Sequence, residues 1–237
     1  SEPYSPIITH TTHDEGARRL AALAKIDPTD FEGGMALASD EVTASTHAGT
    51  HVDAPWHYGP TCEGKPSKTI DQVPLEWCYG NGVVLDFRYL EQGSEITVED
   101  VKEALNKINY TLNEGDIVLI ETGADKYWGT NKYLPAQSGL GMDATEFILN
   151  QGVRVIGIDG WGLDRPVAKM SEAYHSTHNK KALWPSHFFG RQREYLQVEK
   201  MANLDKLPST GFKVCVFPIK IERGSAGWTR AVAILED

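Results

Sequence analysis

The chain has 237 residues, 41% of them apolar and 24% charged, with a formal net charge of −10. These values suit one sizeable globular domain over residues 1–237 and exclude a disordered or fibrous chain. They leave no basic patch for nucleic acid, and no apolar run reaches membrane-spanning length.

Ser1 stands where a methionine would, which marks a processed or trimmed start and leaves room for a removed export signal. Residues 1–9 hold two prolines and read as an extended lead-in. Thr12 and Glu15 fit a capping box for a helix running to about Lys25, with Ala17, Leu20, Ala21 and Ala24 as its apolar stripe and Asp27-Pro28 as its stop. His10 and His13 flank its start and read as surface or capping residues. Residues 35–46 are strand-like, and residues 58–80 form a loop rich in Gly, Pro and Lys. Gly82–Phe87 reads as a strand buried on both faces, since Val83-Val84-Leu85 is continuous. Thr97 with Asp100 caps a second helix, amphipathic through Val101, Ala104, Leu105 and Ile108.

After the turn Asn113-Glu114-Gly115-Asp116, Ile117–Glu121 is a buried strand. Residues 122–142 are irregular, and a loop of that length in a globular domain is usually functional. Asp143 with Glu146 is expected to open a short helix closed by Gly152, and Val153–Ile158 to be a third buried strand. Residues 163–186 read as another long loop, residues from His187 to about Met201 as helical in part, and Lys213–Ile221 and Arg230–Leu235 as the last strands. Strands and helices interleave, so the class is α/β or mixed α+β. Cys62, Cys78 and Cys215 are odd in number and form no CxxC, which fits reduced thiols of a cytoplasmic protein better than a disulfide frame or zinc ribbon.

The densest chemistry lies in Ser45–His57, where His47, His51, Asp53 and His57 fall within eleven residues. Imidazoles and a carboxylate are the ligand types of zinc and manganese. Gly49, Thr50, Val52 and Pro55 make a poor helix. A straight strand would put His47 and His51 roughly 13 Å apart at about 3.3 Å per residue. A bend at Gly49 would bring His47 in beside His51 and Asp53, and Pro55 would end any ladder, with His57 beyond it. Three protein ligands with an open position is the catalytic arrangement, in which the metal lowers the pKa of water. His57 then serves better as a proton shuttle than as a fourth ligand. The plain alternative is a set of hydrogen-bonded loop histidines. Taken alone, His187 and Glu199 read as a core histidine and a solvated helix-face glutamate.

The string His47–His57, HAGTHVDAPWH, resembles the HxGTHxDxPxH signature of the cyclase family of metal-dependent hydrolases, which includes isatin hydrolases and bacterial kynurenine formamidases. Two further segments, Tyr195–Pro208 and Phe217–Ala233, extend the resemblance over most of the chain. Together with the N-terminal helix they look more like the isatin hydrolase branch. The resemblance implies a swivelling β/β/α fold around a mixed sheet. It implies His47, His51 and Asp53 as ligands of a first metal and His57 as acid/base. His187 and Glu199, with Asp53 bridging, match the ligands of a second. It also implies one or two Mn2+ or Zn2+ ions per chain and a homodimer or higher homo-oligomer.

The expected reaction is hydrolysis of a small amide by metal-activated water, opening the C–N bond of a cyclic compound such as isatin. Trp56, Trp161, Phe188 and Trp228 are candidates for an aromatic wall over a flat substrate, with core packing as the alternative. Ser225, in a glycine-flanked loop, could orient the substrate or relay a proton. N-formylkynurenine or a lactone are the alternative substrates. A protein that binds metal or ligand without catalysis is the alternative from another class, against which the spare base His57 argues.

Overall fold

In the computed structural model, which describes residues 5–235, the chain divides between Ala48 and Gly49 into two units. In the N-terminal unit, strand β1 (Ile7–Thr11) pairs antiparallel with β2 (Ser39–Thr43). The strand expected over 35–46 contracts to β2 alone. Between them runs helix α1 (His13–Ala24), where the Thr12 amide donates to the Glu15 carboxylate at 2.8 Å, as the capping signature predicts. A Cβ on Gly16 would lie 2.0 Å from the Leu37 carbonyl oxygen, so only glycine lets the helix and that strand lead-in touch. Lys25 turns left-handed at φ +57° and ends the helix before Asp27-Pro28. His10, on β1, pairs at the surface with Asp40 at 2.5 Å.

The larger unit opens with strand β3 (His51–Asp53) and the short helix α2 (Pro55–Tyr58). The expected loop 58–80 contains a small hairpin, β4 (Thr61–Cys62) with β5 (Lys65–Pro66). Then come β6 (Tyr79–Asp86), β7 (Glu95–Ile96), α3 (Val98–Lys107) and β8 (Ile117–Glu121). The irregular stretch 122–142 carries a 3-10 turn (Ala124–Tyr127), α4 (Tyr133–Ala136) and β9 (Gly139–Leu140). There follow α5 (Met142–Asn150), β10 (Val155–Ile158), α6 (Val167–Thr177) and α7 (Pro185–Phe189). The chain closes with β11 (Leu196–Glu199), β12 (Phe212–Cys215), β13 (Ala226–Trp228) and β14 (Val232–Leu235).

Several expectations change here. Helix α5 starts at Met142 with Gly141 as its cap, so Asp143 lies inside its first turn and does not cap it. The loop expected over 163–186 contains the eleven residues of α6. The segment from His187 to Met201 is the end of a short helix followed by a strand, so Glu199 stands on a strand rather than a helix. The connection expected between the last two strands holds β13.

One mixed sheet carries the unit, in the order β13-β3-β11-β10-β8-β6-β12-β14. Strands β6, β8, β10 and β11 run parallel, with antiparallel strands flanking them on both sides. The alternation of side chains along a strand explains why the central sequences are continuously apolar. Val118 and Ile120 of β8 point into one core, with Val83, Leu85, Ile156 and Ile158 and with Val101, Leu105, Ile148 and Leu149 from α3 and α5. Ile117 and Leu119 point into the other, with Val84, Val155, Leu196 and Val198. No helix among the described residues is long and apolar enough to cross a membrane.

Strands β6 and β8 end side by side on Asp86 and Glu121. Arg88 spans both, 2.7 Å from Asp86 and 3.0 Å from Glu121. Burial nevertheless pushes the Glu121 carboxyl up to about 7, with Asp86 and Asp159 adding to the shift and Arg88 opposing it. A carboxyl with a folded pKa above its ordinary 4.5 holds its proton more tightly in the folded state. Its contribution is therefore fully present below that ordinary value and is lost as pH rises toward the folded one. Urea-unfolding midpoints of Glu121→Gln should lack this part of the decline across that window. Midpoint profiles of variant and wild type that run parallel would refute the assignment.

Candidate metal centre

The site is built where the pattern of the sheet changes. On β3 and β11 the side chains facing one core are still apolar, Val52, Leu196 and Val198. The opposite positions are His51, Asp53, Gln197 and Glu199, all buried. These lie on the sheet face that α3 and α5 cover elsewhere. The ladder pairs His51 with Glu199 and Asp53 with Gln197, so period two delivers His51, Asp53 and Glu199 to one patch.

The bend expected at Gly49 is present, with φ at +63°. It lets the Gly49 carbonyl meet His51 Nδ1 at 2.8 Å. A carbonyl only accepts, so His51 carries a proton on Nδ1 and turns Nε2 to the carboxylates. That nitrogen lies 3.2 Å from Asp53 Oδ1 and 3.5 Å from Glu199 Oε2. Burial alone would depress the His51 pKa, but Asp53 and Glu199 outweigh it and the pKa is raised. One donor atom from each of His51, Asp53 and Glu199 lies within 4.8 Å of the others.

His187, on α7, presents Nε2 to the same carboxylates from the other side, 3.4 Å from Glu199 Oε1 and 3.9 Å from Asp53 Oδ2. His57 rides on α2, which Pro55 opens at its first position. Its Nε2 is 4.0 Å from Asp53 Oδ2, and its side chain is 34% exposed, whereas the rest of the cluster is nearly closed to solvent. His47 precedes the larger unit, in the turn where its amide donates to Ser45 Oγ at 3.1 Å.

The donor set fits a divalent cation. Asp53 is fully buried and Glu199 nearly so. Taking two carboxylates out of water beside each other costs several kcal/mol per ion unless positive charge compensates them. Glu199 Oε1 is buried and makes no hydrogen bond among the described residues. Imidazole nitrogen with carboxylate oxygen is the mixture that zinc and manganese accept.

Residues that the sequence reading did not single out hold this cluster in place. The Tyr58 hydroxyl sits between β3 and β11, donating to the Asp53 carbonyl at 3.4 Å and accepting from the Gln197 amide at 3.0 Å. Tyr195 stacks on Tyr58 with ring centres 5.3 Å apart and donates to the Ser186 carbonyl at 2.7 Å. Burial raises both phenols well above their ordinary pKa, so they remain neutral donors. Asp164 accepts from the backbone and ring of His187. Aromatic periodicity flags neither tyrosine, and Asp164 sits in a glycine-rich loop with no motif of its own.

The four aromatic candidates stand on different elements: Trp56 on α2, Phe188 on α7, Trp228 on β13 and Trp161 in the loop after β10. Trp56 is 44% exposed next to His57, and Phe188 is 36% exposed next to His187. The Arg191 guanidinium lies over the Phe188 ring, 3.8 Å from its centre. Trp228 faces His51 across the β3–β13 ladder, and the Ser225 carbonyl accepts from the Ala54 amide at 2.9 Å. Trp161 packs beside Ala124, Tyr133 and Ala136 in a small core of its own.

The sequence model of the Cyclase family matches residues 3–165. An isatin hydrolase of Roseibium aggregatum is 26% identical over 220 residues, covering 89% of this chain and 80% of that protein. A kynurenine formamidase of Erythrobacter litoralis is 25% identical over 205 residues, covering 85% of this chain and 79% of that one. Among solved structures, an isatin hydrolase bound to the product analogue thioisatinate superposes with a TM-score of 0.77 at 20% identity. That match covers 100% of this chain and 84% of the other.

Proposed function

The chain belongs to the Cyclase family, and on that premise we propose that it is a metal-dependent hydrolase that opens the C–N bond of a small cyclic amide such as isatin. The observation that carries the reading is the convergence of His51, Asp53 and Glu199 in a buried cluster with His187 and the half-exposed His57 at its margin. His51, Asp53, His187 and Glu199, with His47 from the preceding turn, would hold one or two zinc or manganese ions. When bound, such an ion supplies Lewis acidity, polarising a carbonyl and making water a nucleophile near neutral pH.

The protein's own groups do the rest. His57 Nε2 faces Asp53 Oδ2 at 4.0 Å from a side chain that is 34% exposed. It takes the proton of the attacking water and delivers it to the leaving amide nitrogen. Asp53, next to it, favours the imidazolium that His57 becomes between these transfers. The exposed rings of Trp56 and Phe188, on the helices that carry His57 and His187, offer flat surfaces for a planar substrate. An acyclic N-formyl substrate is the second reading, supported by the similarity to kynurenine formamidases.

The test is metal content per chain, paired with isatin hydrolysis before and after chelation. Activity should vanish with the metal and return on addition of manganese or zinc. Turnover of N-formylkynurenine with none of isatin would move the substrate to the formamidase class. Undiminished hydrolysis by metal-free protein would overturn the mechanism.

A further inference from the structure

The loop after β10, residues 159–165, touches the metal centre at two points without supplying a donor to it. Asp164 is 2% exposed and spends both carboxylate oxygens on α7. Oδ1 accepts from the Ser186 amide at 2.6 Å, and Oδ2 accepts from the His187 amide at 3.3 Å and lies against His187 Nδ1. Two residues earlier the backbone runs so close to Glu199 that a Cβ on Gly162 would sit 3.3 Å from its Oε1.

Gln137, which is 1% exposed, ties the middle of the loop. Its amide nitrogen donates to the carbonyls of Gly162 and Asp164, and its oxygen accepts from the Trp161 amide. The glutamine thus completes three hydrogen bonds to the loop backbone, groups that are costly to bury unpaired. A loop with no regular structure is thereby fixed at the two places where it meets the cluster.

A carboxylate accepts and does not donate, so the proton of the His187–Asp164 bond belongs to Nδ1. Nε2 faces Glu199 Oε1 and Asp53 Oδ2, and in the neutral ring that a metal donor must be, it is Nε2 that carries the lone pair. With the proton on Nε2 instead, the same ring would point an N–H at the place where a cation is to be held. The choice of ring nitrogen is made by the partner of the other one.

We propose that Asp164 is a positioning residue that locks His187 with its proton on Nδ1 and its Nε2 lone pair turned to the Asp53–Glu199 carboxylates, making His187 a metal donor, with Gln137 setting the place of Asp164. The proposal rests on the metal-dependent reading above. It assigns no chemistry to Asp164 itself, whose carboxylate acts through His187.

Zinc titration calorimetry on metal-free wild type and Asp164→Asn tests it, with circular dichroism to compare their folds. The variant should bind zinc about 10–100-fold more weakly, the range typical of lost outer partners of metal-bound histidines. Equal affinities would overturn the positioning role while leaving the metal reading intact. A wild type that binds neither zinc nor manganese would overturn both. A second measurement does not depend on Asp164→Asn. In zinc-loaded wild type labelled with 15N-histidine, long-range 1H–15N spectra should place the His187 proton on Nδ1, its signals identified by their loss in His187→Gln. A proton on Nε2 of His187 would refute the proposal.

Discussion

Asp53→Asn is expected to abolish tight binding of divalent metal and to lower hydrolysis by about a thousandfold. Its oxygens stand between His51 on one side and His187 and His57 on the other, at 3.2, 3.9 and 4.0 Å. Lewis-acid stabilisation is worth several kcal/mol, and about 1.4 kcal/mol is a factor of ten in rate, which gives the magnitude. The same substitution carries a second, opposite expectation. Without metal, Asp53 and Glu199 are buried carboxylates side by side, and removing one charge relieves their repulsion and its desolvation cost. In chelator the variant should therefore melt no lower than wild type, while in excess zinc the wild type alone should gain stability by mass action. Melting curves with and without metal read both effects. Wild-type metal affinity in Asp53→Asn would show that the donor set has been misread.

His57→Ala separates the proton carrier from the ligands. A general acid–base group typically contributes about 10²–10⁴-fold, so kcat should fall by that range while metal content stays at the wild-type value. Added imidazole should restore part of the loss, because the truncated side chain leaves room on the solvent side of the cluster. Loss of metal along with activity would make His57 a ligand instead. Near-normal turnover with metal in place would remove it from the mechanism.

Where the sequence was legible, the reason is local. Ile117–Glu121 and the capped helices at Thr12 and Thr97 fold within a residue or so of their expected bounds, because burial on both faces and reciprocal caps leave strong short-range marks. Helix α6 leaves no such mark. It follows Pro166, which offers no capping side chain, and buries only Met170, so no apolar stripe announces it. Strand β11 is four residues long, too short to be told from a helix end by its own pattern. Its state is decided by pairing with β10 and with β3, the latter nearly 150 residues away in sequence.

The sequence by itself determined the class of the fold and the type of chemistry, since four ligand-type side chains within eleven residues, with a glycine bend and a proline stop, need no distant information. The tertiary structure decided which residues complete the site. Glu199 and His187 reach Asp53 only because β11 pairs with β3 and α7 lies over that edge of the sheet. Asp164, Gln137, Tyr58 and Tyr195 act through hydrogen bonds that span from five to 139 residues of chain. The donors of the His47–His57 segment are recorded in residue type and spacing. The groups that orient them are recorded only in contacts, which a linear pattern does not carry.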